Sequence, residues 1–484
     1  MRSNSCPIVD AMKRYSSDDV TPFHTPGHKH GRGAHELLRE LLTPEGLRVE
    51  VSLMDELDDL HAPHGCIRDA QKLAARLWHA DETIFFVNGT TSAIQAMIFG
   101  SVNAGDLIFV PRNAHRSVIS GLILSDAVPI FLPVEFDAEF NLPLNVTVET
   151  VTRAIKMFPQ AKALLLVSPN YYGVAADVPK IAEIVHAAGM LLLVDEAHGA
   201  HLTFSDKLPP SAMDAGADVS AQSTHKILGS LTQTSMLQMK RSAPVERIKL
   251  AASLLQTTSP NQILLASLDI ARLQLEQNPQ LVTKAVDLSL KIRGQLERHG
   301  LKVFAPKDFA FDPTKITVNV STRGLTGAQS EQLLRRQKIQ CELSDAANVL
   351  FLVTFADDES TAAKLVDALV KGVGCQVSGV RGNAVNTLNP DTRIPIPSIT
   401  RAKLSPRETF YATTTTVNLR DAVGKICAEE VTFYPPGIPL VMPGEEISAQ
   451  RVELLEGEKL SGGHVIGAAD PTLSTIKIVR LKAS

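Results

Sequence analysis

The strongest constraint on the fold is a series of short apolar runs separated by amphipathic stretches. Ile84–Val87, Leu107–Val110, Pro129–Leu132, Ala163–Val167, Leu191–Val194, Asp218–Ala221 and Met236–Met239 read as strands. Amphipathic segments such as Val178–Ala188 lie between several of them and suit crossover helices. This alternation predicts an α/β domain built on a mainly parallel, seven-stranded sheet. In such sheets ligands bind outside the carboxyl ends of the strands, so the residues just past each run are where chemistry is expected.

Five of those ends carry reactive side chains. The first, Val87-Asn88-Gly89-Thr90-Thr91-Ser92, leads into the helix-like Ala93–Phe99. Free N–H groups and the helix dipole would make it a phosphate cradle, with Gly89 allowing close approach and Thr90 and Thr91 adding hydroxyls. A Ser/Thr-capped helix without a ligand is the plain alternative. The second end places His115 where an imidazole could lie flat on an aromatic ring or stand as an ordinary loop histidine. The third, Ser168-Pro169-Asn170-Tyr171-Tyr172-Gly173, offers tyrosines to wall a pocket.

The fourth end is Asp195-Glu196-Ala197-His198 and the fifth Ser223-Thr224-His225-Lys226. A carboxylate and an amine at one sheet edge are what pyridoxal phosphate (PLP) requires: a lysine for its aldehyde and an aspartate for its ring nitrogen. Ala197 is small enough to sit under a ring. Ser223 can reach phosphate, and His225 can act as a proton donor near a substrate Cα. Neither a Gly-x-Gly-x-x-Gly nor a Walker lysine is present, so dinucleotide and NTP readings lack support.

At 484 residues the chain calls for more than one core. The expected domains are an arm over 1–40, a large domain over 41–299, a smaller α/β domain over 300–374 and a C-terminal α+β domain over 375–484. Ile263–His299, interrupted at Pro279, is expected to bridge the large and small domains. The net charge of −4 gives no pull toward nucleic acid or anionic membrane. No apolar run is long enough to span a bilayer, and the polar N-terminus lacks a signal core. Five scattered cysteines without a Cys-x-x-Cys suit thiols in a cytoplasm. His24, His28, His30 and His35 fit no structural-zinc spacing, so no metal is expected.

The chain resembles the bacterial Orn/Lys/Arg decarboxylases of PLP fold-type I, the aspartate-aminotransferase class. The matching stretches include Phe23-His24-Thr25-Pro26-Gly27-His28-Lys29, Glu56-Leu57-Asp58-Asp59-Leu60-His61, Asn88-Gly89-Thr90-Thr91, Asn113-Ala114-His115-Arg116-Ser117, Asp195-Glu196-Ala197-His198 and Ser223-Thr224-His225-Lys226. Further along come Thr257-Thr258-Ser259-Pro260, Ser405-Pro406-Arg407-Glu408, Tyr434-Pro435-Pro436-Gly437 and Met442-Pro443-Gly444-Glu445. The resemblance implies that Lys226 carries PLP, Asp195 pairs with its ring nitrogen and His115 stacks on the ring. Ala197 and His198 would line the other side, and Thr90, Thr91 and Ser223 would hold the phosphate. It implies a homodimer with shared sites, in which Thr257 and Thr258 reach the partner's phosphate, and leaves room for a higher homo-oligomer. Glu408 would meet the substrate's cationic end, or else form an ion pair with a neighbour such as Arg407. Larger members of the family carry a receiver-like N-terminal domain that this chain is expected to lack.

The implied activity is decarboxylation of arginine to agmatine, with lysine and ornithine as the next candidates, in polyamine biosynthesis. Two alternatives remain at this point. One is another fold-type I reaction, amino transfer or aldol cleavage, with Arg323 or Arg335 binding a carboxylate. The other is a PLP-fold protein kept as a non-catalytic regulatory partner.

Overall fold

All seven apolar runs form strands, each within two residues of its expected bounds. They are β1 Glu82–Phe86, β2 Leu107–Pro111, β3 Val128–Leu132, β4 Ala163–Val167, β5 Leu191–Asp195, β6 Val219–Gln222 and β7 Ser235–Met239. This computed structural model describes residues 5–18, 20–372, 398–434, 438–460 and 464–480. Pro390, Pro395, Pro397, Cys375, the expected 374/375 domain boundary and Pro435-Pro436-Gly437 lie outside the described residues.

The sheet runs β1-β7-β6-β5-β4-β2-β3 and is extended by an eighth strand, Thr400–Arg401, from the C-terminal region. The pairs from β6 to β3 are parallel, whereas β7 is antiparallel to both β1 and β6. The eighth strand is antiparallel to β3, and it leaves no signal in the sequence because two residues carry no periodicity. Register aligns the site. Val167 pairs with Asp195 and Asp195 with Ala221, so three strands end level at one edge.

The strand interiors are apolar because helices cover both faces. Ile108, Val110, Leu165 and Leu193 enter one core, while Phe109, Leu164, Leu166 and Leu192 enter the other. Each such side chain contributes about 1.5–3 kcal/mol by leaving water. The rigid sheet that results is the platform on which the strand-end residues stand.

The described helices include α1 Pro7–Ser17, α2 Gly89–Ser101, α3 Arg116–Ser125, α4 Gln262–Gln277 and α5 Gln280–Arg298. The expected arm therefore opens with a helix. Pro7 sits in its first turn, and Ile8, Ala11, Met12 and Tyr15 form an i, i+3, i+4, i+7 stripe that is buried. Its docking is fixed by a buried ion pair in α4, Arg272–Asp269 at 2.5 Å. The Ile8 N–H donates to Asp269 at 3.1 Å and Arg272 donates to the Ser5 carbonyl at 2.7 Å. The bridging segment divides at Asn278-Pro279 into α4 and α5, since proline cannot continue the hydrogen-bond ladder.

The small domain has a four-stranded sheet in which β8 Lys315–Asn319 and β9 Asn348–Leu352 form the centre. Its strands all pair antiparallel. A strap before β8 reaches back to the large domain, where Ala310–Phe311 pairs with Val174–Ala175. The C-terminal domain is anchored by a buried cluster. Glu445 accepts from Arg112 at 2.6 Å, Arg451 at 2.6 Å and Thr400 at 3.1 Å.

Candidate active site

The carboxyl edge of the sheet brings Asp195, Lys226, His198 and His115 together. Lys226 lies in a single helical turn, Thr224–Ile227, immediately after β6. Its Nζ is 2.9 Å from His198 Nε2 and 5.4 Å from the centre of the Tyr171 ring. Tyr171 packs on His198 with ring centres 4.6 Å apart. The two tyrosine-bearing and histidine-bearing loops thus wall the amine, as expected for Tyr171. The Tyr172 hydroxyl instead donates to Asp345, at 3.2 Å.

Burial dominates the electrostatics. Asp195 is 3% exposed and accepts the Ala197 N–H at 3.1 Å. Burial pushes its carboxyl up to about 6, with Lys226 and the Ala197 N–H opposing. The Lys226 amine is pulled down by burial, against the charges of Asp195 and Glu342 and with that of Lys315. Burial, reinforced by Lys226, brings His115 down to about 4 and leaves it a neutral imidazole at ordinary pH. His198 is lowered well below the usual range for the same two reasons. These groups are nearer neutrality than they would be in water, which is the state nucleophilic and proton-transfer chemistry uses.

Tautomers follow from the hydrogen bonds. His115 caps α3, its Nδ1 accepting the Ser117 N–H at 3.2 Å, so the proton of the neutral ring belongs on Nε2. His225 Nδ1 lies 2.7 Å from the Thr234 carbonyl, so that nitrogen carries the proton and Nε2 a lone pair. Its ring is also held low by burial first.

The hydroxyl row is likewise assembled. The Thr90 and Ser223 hydroxyls are bonded to each other, and Thr90 Oγ1 donates to Ser235 Oγ at 3.0 Å. Gly89 opens α2 with φ +75°, and a Cβ there would meet nothing within 4 Å, so the backbone is open to a ligand. Its own N–H, however, is committed to the Gln233 carbonyl at 2.8 Å. Thr91 is exposed, as are Thr257 and Thr258, and Ala197 is half-buried. Thr224 Oγ1 is buried without a hydrogen-bond partner among the described residues.

Glu408, Arg323 and Arg335 have other partners within one chain. Glu408 belongs to a capping box, accepting from the Ser405 N–H at 2.6 Å. Its short helix packs on the far end of α3, where Ser405 donates to Asp126 at 2.7 Å. A ten-residue helix separates it from His115, about 15 Å. Arg323 is exposed and donates to the Gly300 carbonyl at 2.9 Å, and Arg335 pairs with Glu331 at 2.8 Å. Neither arginine is committed to the crevice.

Sequence reasoning missed two contributors from the small domain. Glu342 is the acid of that domain whose charge reaches both Lys226 and Lys315. Lys315 itself donates to the His198 carbonyl at 3.0 Å. Neither stands at an end of the large sheet, where strand-end logic looks. The N-terminal histidines serve the arm: Tyr15 OH bonds His24 at 3.0 Å and His30 at 3.2 Å, and His28 meets Glu50 at 2.8 Å.

A family profile described as "Orn/Lys/Arg decarboxylase, major domain" matches residues 6–304, and one described as "Orn/Lys/Arg decarboxylase, C-terminal domain" matches residues 396–456. An arginine decarboxylase of Bacillus subtilis is 38% identical over 99% of this chain and 99% of its own. One from Bacillus anthracis is 39% identical over 98% of this chain and 97% of its own. The crystal structure of a Francisella novicida lysine decarboxylase superposes with a TM-score of 0.84 at 20% identity, covering 99% of this chain and 82% of that one. That likeness gives the fold, the PLP fold-type I architecture.

Proposed function

We infer that this chain, which belongs to the Orn/Lys/Arg decarboxylase family, acts on arginine and releases agmatine and CO2 with PLP as its cofactor. Decarboxylation is the family's reaction, and the relatives named arginine decarboxylase at 38% and 39% identity favour arginine within it. The observation that carries the cofactor is the Lys226 amine, held 2.9 Å from His198 on the sheet edge that bears Asp195.

The residues present fit PLP. Lys226 Nζ would hold its aldehyde carbon. Asp195, driven toward protonation by burial, would pair as a carboxylate with a protonated ring nitrogen. Neutral His115 can cover one ring face without adding charge, and Ala197 with His198 would bound the other. Thr90, Thr91, Ser223 and the N-terminus of α2 would hold the phosphate, with Gly89 leaving room for it. When bound, PLP supplies an aldehyde for the substrate amine and an electron-withdrawing ring for the electrons left by CO2.

The chain's own groups then divide the remaining work. Tyr171 and His198 shield the amine of Lys226 from water. Two groups could return a proton to Cα, and their hydrogen bonds separate them. His225 keeps its proton on Nδ1, turned to Thr234, and burial disfavours a second one. Lys226 is the better donor, since its amine lies in the crevice and burial lowers its hold on a proton. Glu342, whose charge reaches Lys226, is a candidate to meet the guanidinium of arginine. Exposed Thr257 and Thr258 suit a homodimer that shares its sites. Among the described residues no helix is long and apolar enough to cross a membrane, and four free cysteines fit the cytoplasm.

Assays of CO2 release from arginine, lysine and ornithine side by side test the reading. Arginine should show the highest kcat/KM. A clear preference for lysine or ornithine would overturn the substrate assignment while leaving the family intact.

A further inference from the structure

Behind the crevice lies a buried ion pair to which the decarboxylation chemistry gives no task. Asp312 and Lys315 belong to the strap Asp312-Pro313-Thr314-Lys315 that leads into β8, and both side chains are 0% exposed, with Nζ and Oδ2 2.5 Å apart. Lys315 also donates to the His198 carbonyl at 3.0 Å. His201 Nε2 lies 3.0 Å from the same Asp312 oxygen, and Thr314 donates to the other oxygen at 2.6 Å. The Asp312 N–H donates to the Gly173 carbonyl at 2.8 Å, in the loop that carries Tyr171.

One ion pair from the small domain therefore grips the loop after β5 twice, through His198 O and through the His201 ring. The His198 imidazole has no hydrogen-bond partner on Nδ1 among the described residues. Its place is set by its backbone, by Tyr171 and by Lys226. A buried ion pair is a weak source of stability, because desolvation offsets most of the attraction. Its value lies in direction: two fixed charges hold two loops in one geometry.

We propose that the Asp312–Lys315 pair is a positioning element of the active site, fixing the His198 imidazole against Lys226 and so holding the Lys226 amine in the strand-end crevice. This rests on Lys226 being the cofactor-bearing amine. The charge of Lys315 adds to burial in lowering the amine's hold on a proton, against Asp195 and Glu342. His115, His198 and His225, all held low by burial, also face it, as does the Tyr171 ring.

The test uses the cofactor-free protein, with trinitrobenzenesulfonate as amine probe and the Lys226 peptide followed by mass spectrometry across pH. The double variant Asp312→Asn/Lys315→Met removes both charges together. Its Lys226 labelling midpoint should move up by about half a pH unit or more. In the loaded enzyme kcat should fall about tenfold to a hundredfold with KM within about threefold. The control Asp269→Asn/Arg272→Met removes another pair with both side chains 0% exposed and should leave the Lys226 profile at wild type. A double variant whose labelling profile matches wild type overturns the proposal.

Should the double variant fail to fold, His201→Gln keeps the ion pair and cuts one grip. Its amides 196–201 should then exchange about tenfold faster, with altered Lys226 labelling; exchange and labelling both unchanged would overturn the proposal. Lys226→Ala separates the two failures. If it keeps turnover, the assignment of Lys226 fails. If it loses turnover while the double variant behaves as wild type, the positioning role alone fails.

Discussion

Two buried carboxylates show how this molecule distinguishes a joint from a site. Glu445, at the junction of the C-terminal domain, is 2% exposed and meets two guanidinium groups, a hydroxyl and the Met442 N–H. Burial opposes its charge, yet Arg112 and Arg451 outweigh burial and hold it below the ordinary carboxylate range. Asp195 is 3% exposed, and burial wins there, lifting it to about 6. The first is complete within the chain. The second is short of positive partners, and a cationic ring nitrogen is a group that would complete it. Buried charge left incomplete marks a binding place, whereas buried charge fully matched marks architecture.

The largest effect comes from removing the amine beside Asp195. Lys226→Ala should lower decarboxylation about 10⁴-fold or more and remove the visible absorbance of bound cofactor. Spectra and CO2 assays read both at once.

Next, the same carboxylate-to-amide change should have opposite consequences at the two positions. Glu445→Gln leaves Arg112 and Arg451 without their shared anion and should destabilise the fold by about 3 kcal/mol. Asp195→Asn should stabilise the cofactor-free protein. Its folded carboxyl holds a proton to about pH 6, whereas an unfolded one releases it near pH ~4. Wild-type stability is therefore lost as pH rises through that window, and the variant escapes the loss. The gain should be absent below pH ~4 and reach roughly 1–3 kcal/mol above pH ~6. Urea titrations on either side of that window, at about pH 4 and about pH 8, measure it. A difference that stays flat with pH would erase the contrast. In the loaded enzyme the same variant should lose about a hundredfold in kcat.

The smallest effect concerns specificity. Glu342→Gln should raise KM for arginine about tenfold while changing kcat little. An unchanged KM would remove Glu342 from substrate recognition.

The sequence is most legible where burial on two faces writes a continuous apolar run. Leu107–Pro111, Ala163–Val167 and Leu191–Asp195 are such strands, and the side chains just past them stand out because sheet edges are where ligands bind. Residues acting through long-range contact leave no such trace. Asp312-Pro313-Thr314-Lys315 reads as a polar turn, and only the folded chain reveals that it lies under His198. Glu342 reads as a solvated charge beside Cys341. Ser405-Pro406-Arg407-Glu408 also carries a structural signal, because it starts a helix with a reciprocal cap. The helix α1 is hard to see because its apolar stripe is only four residues long. It is stabilised by Asp269 and Arg272, more than two hundred positions away.

Borohydride reduction of the PLP-loaded enzyme, followed by peptide mapping, asks which amine binds the cofactor. A stable pyridoxyl label is expected on the peptide containing Lys226. A label on any other lysine, with that peptide unmodified, would refute the role given to Lys226.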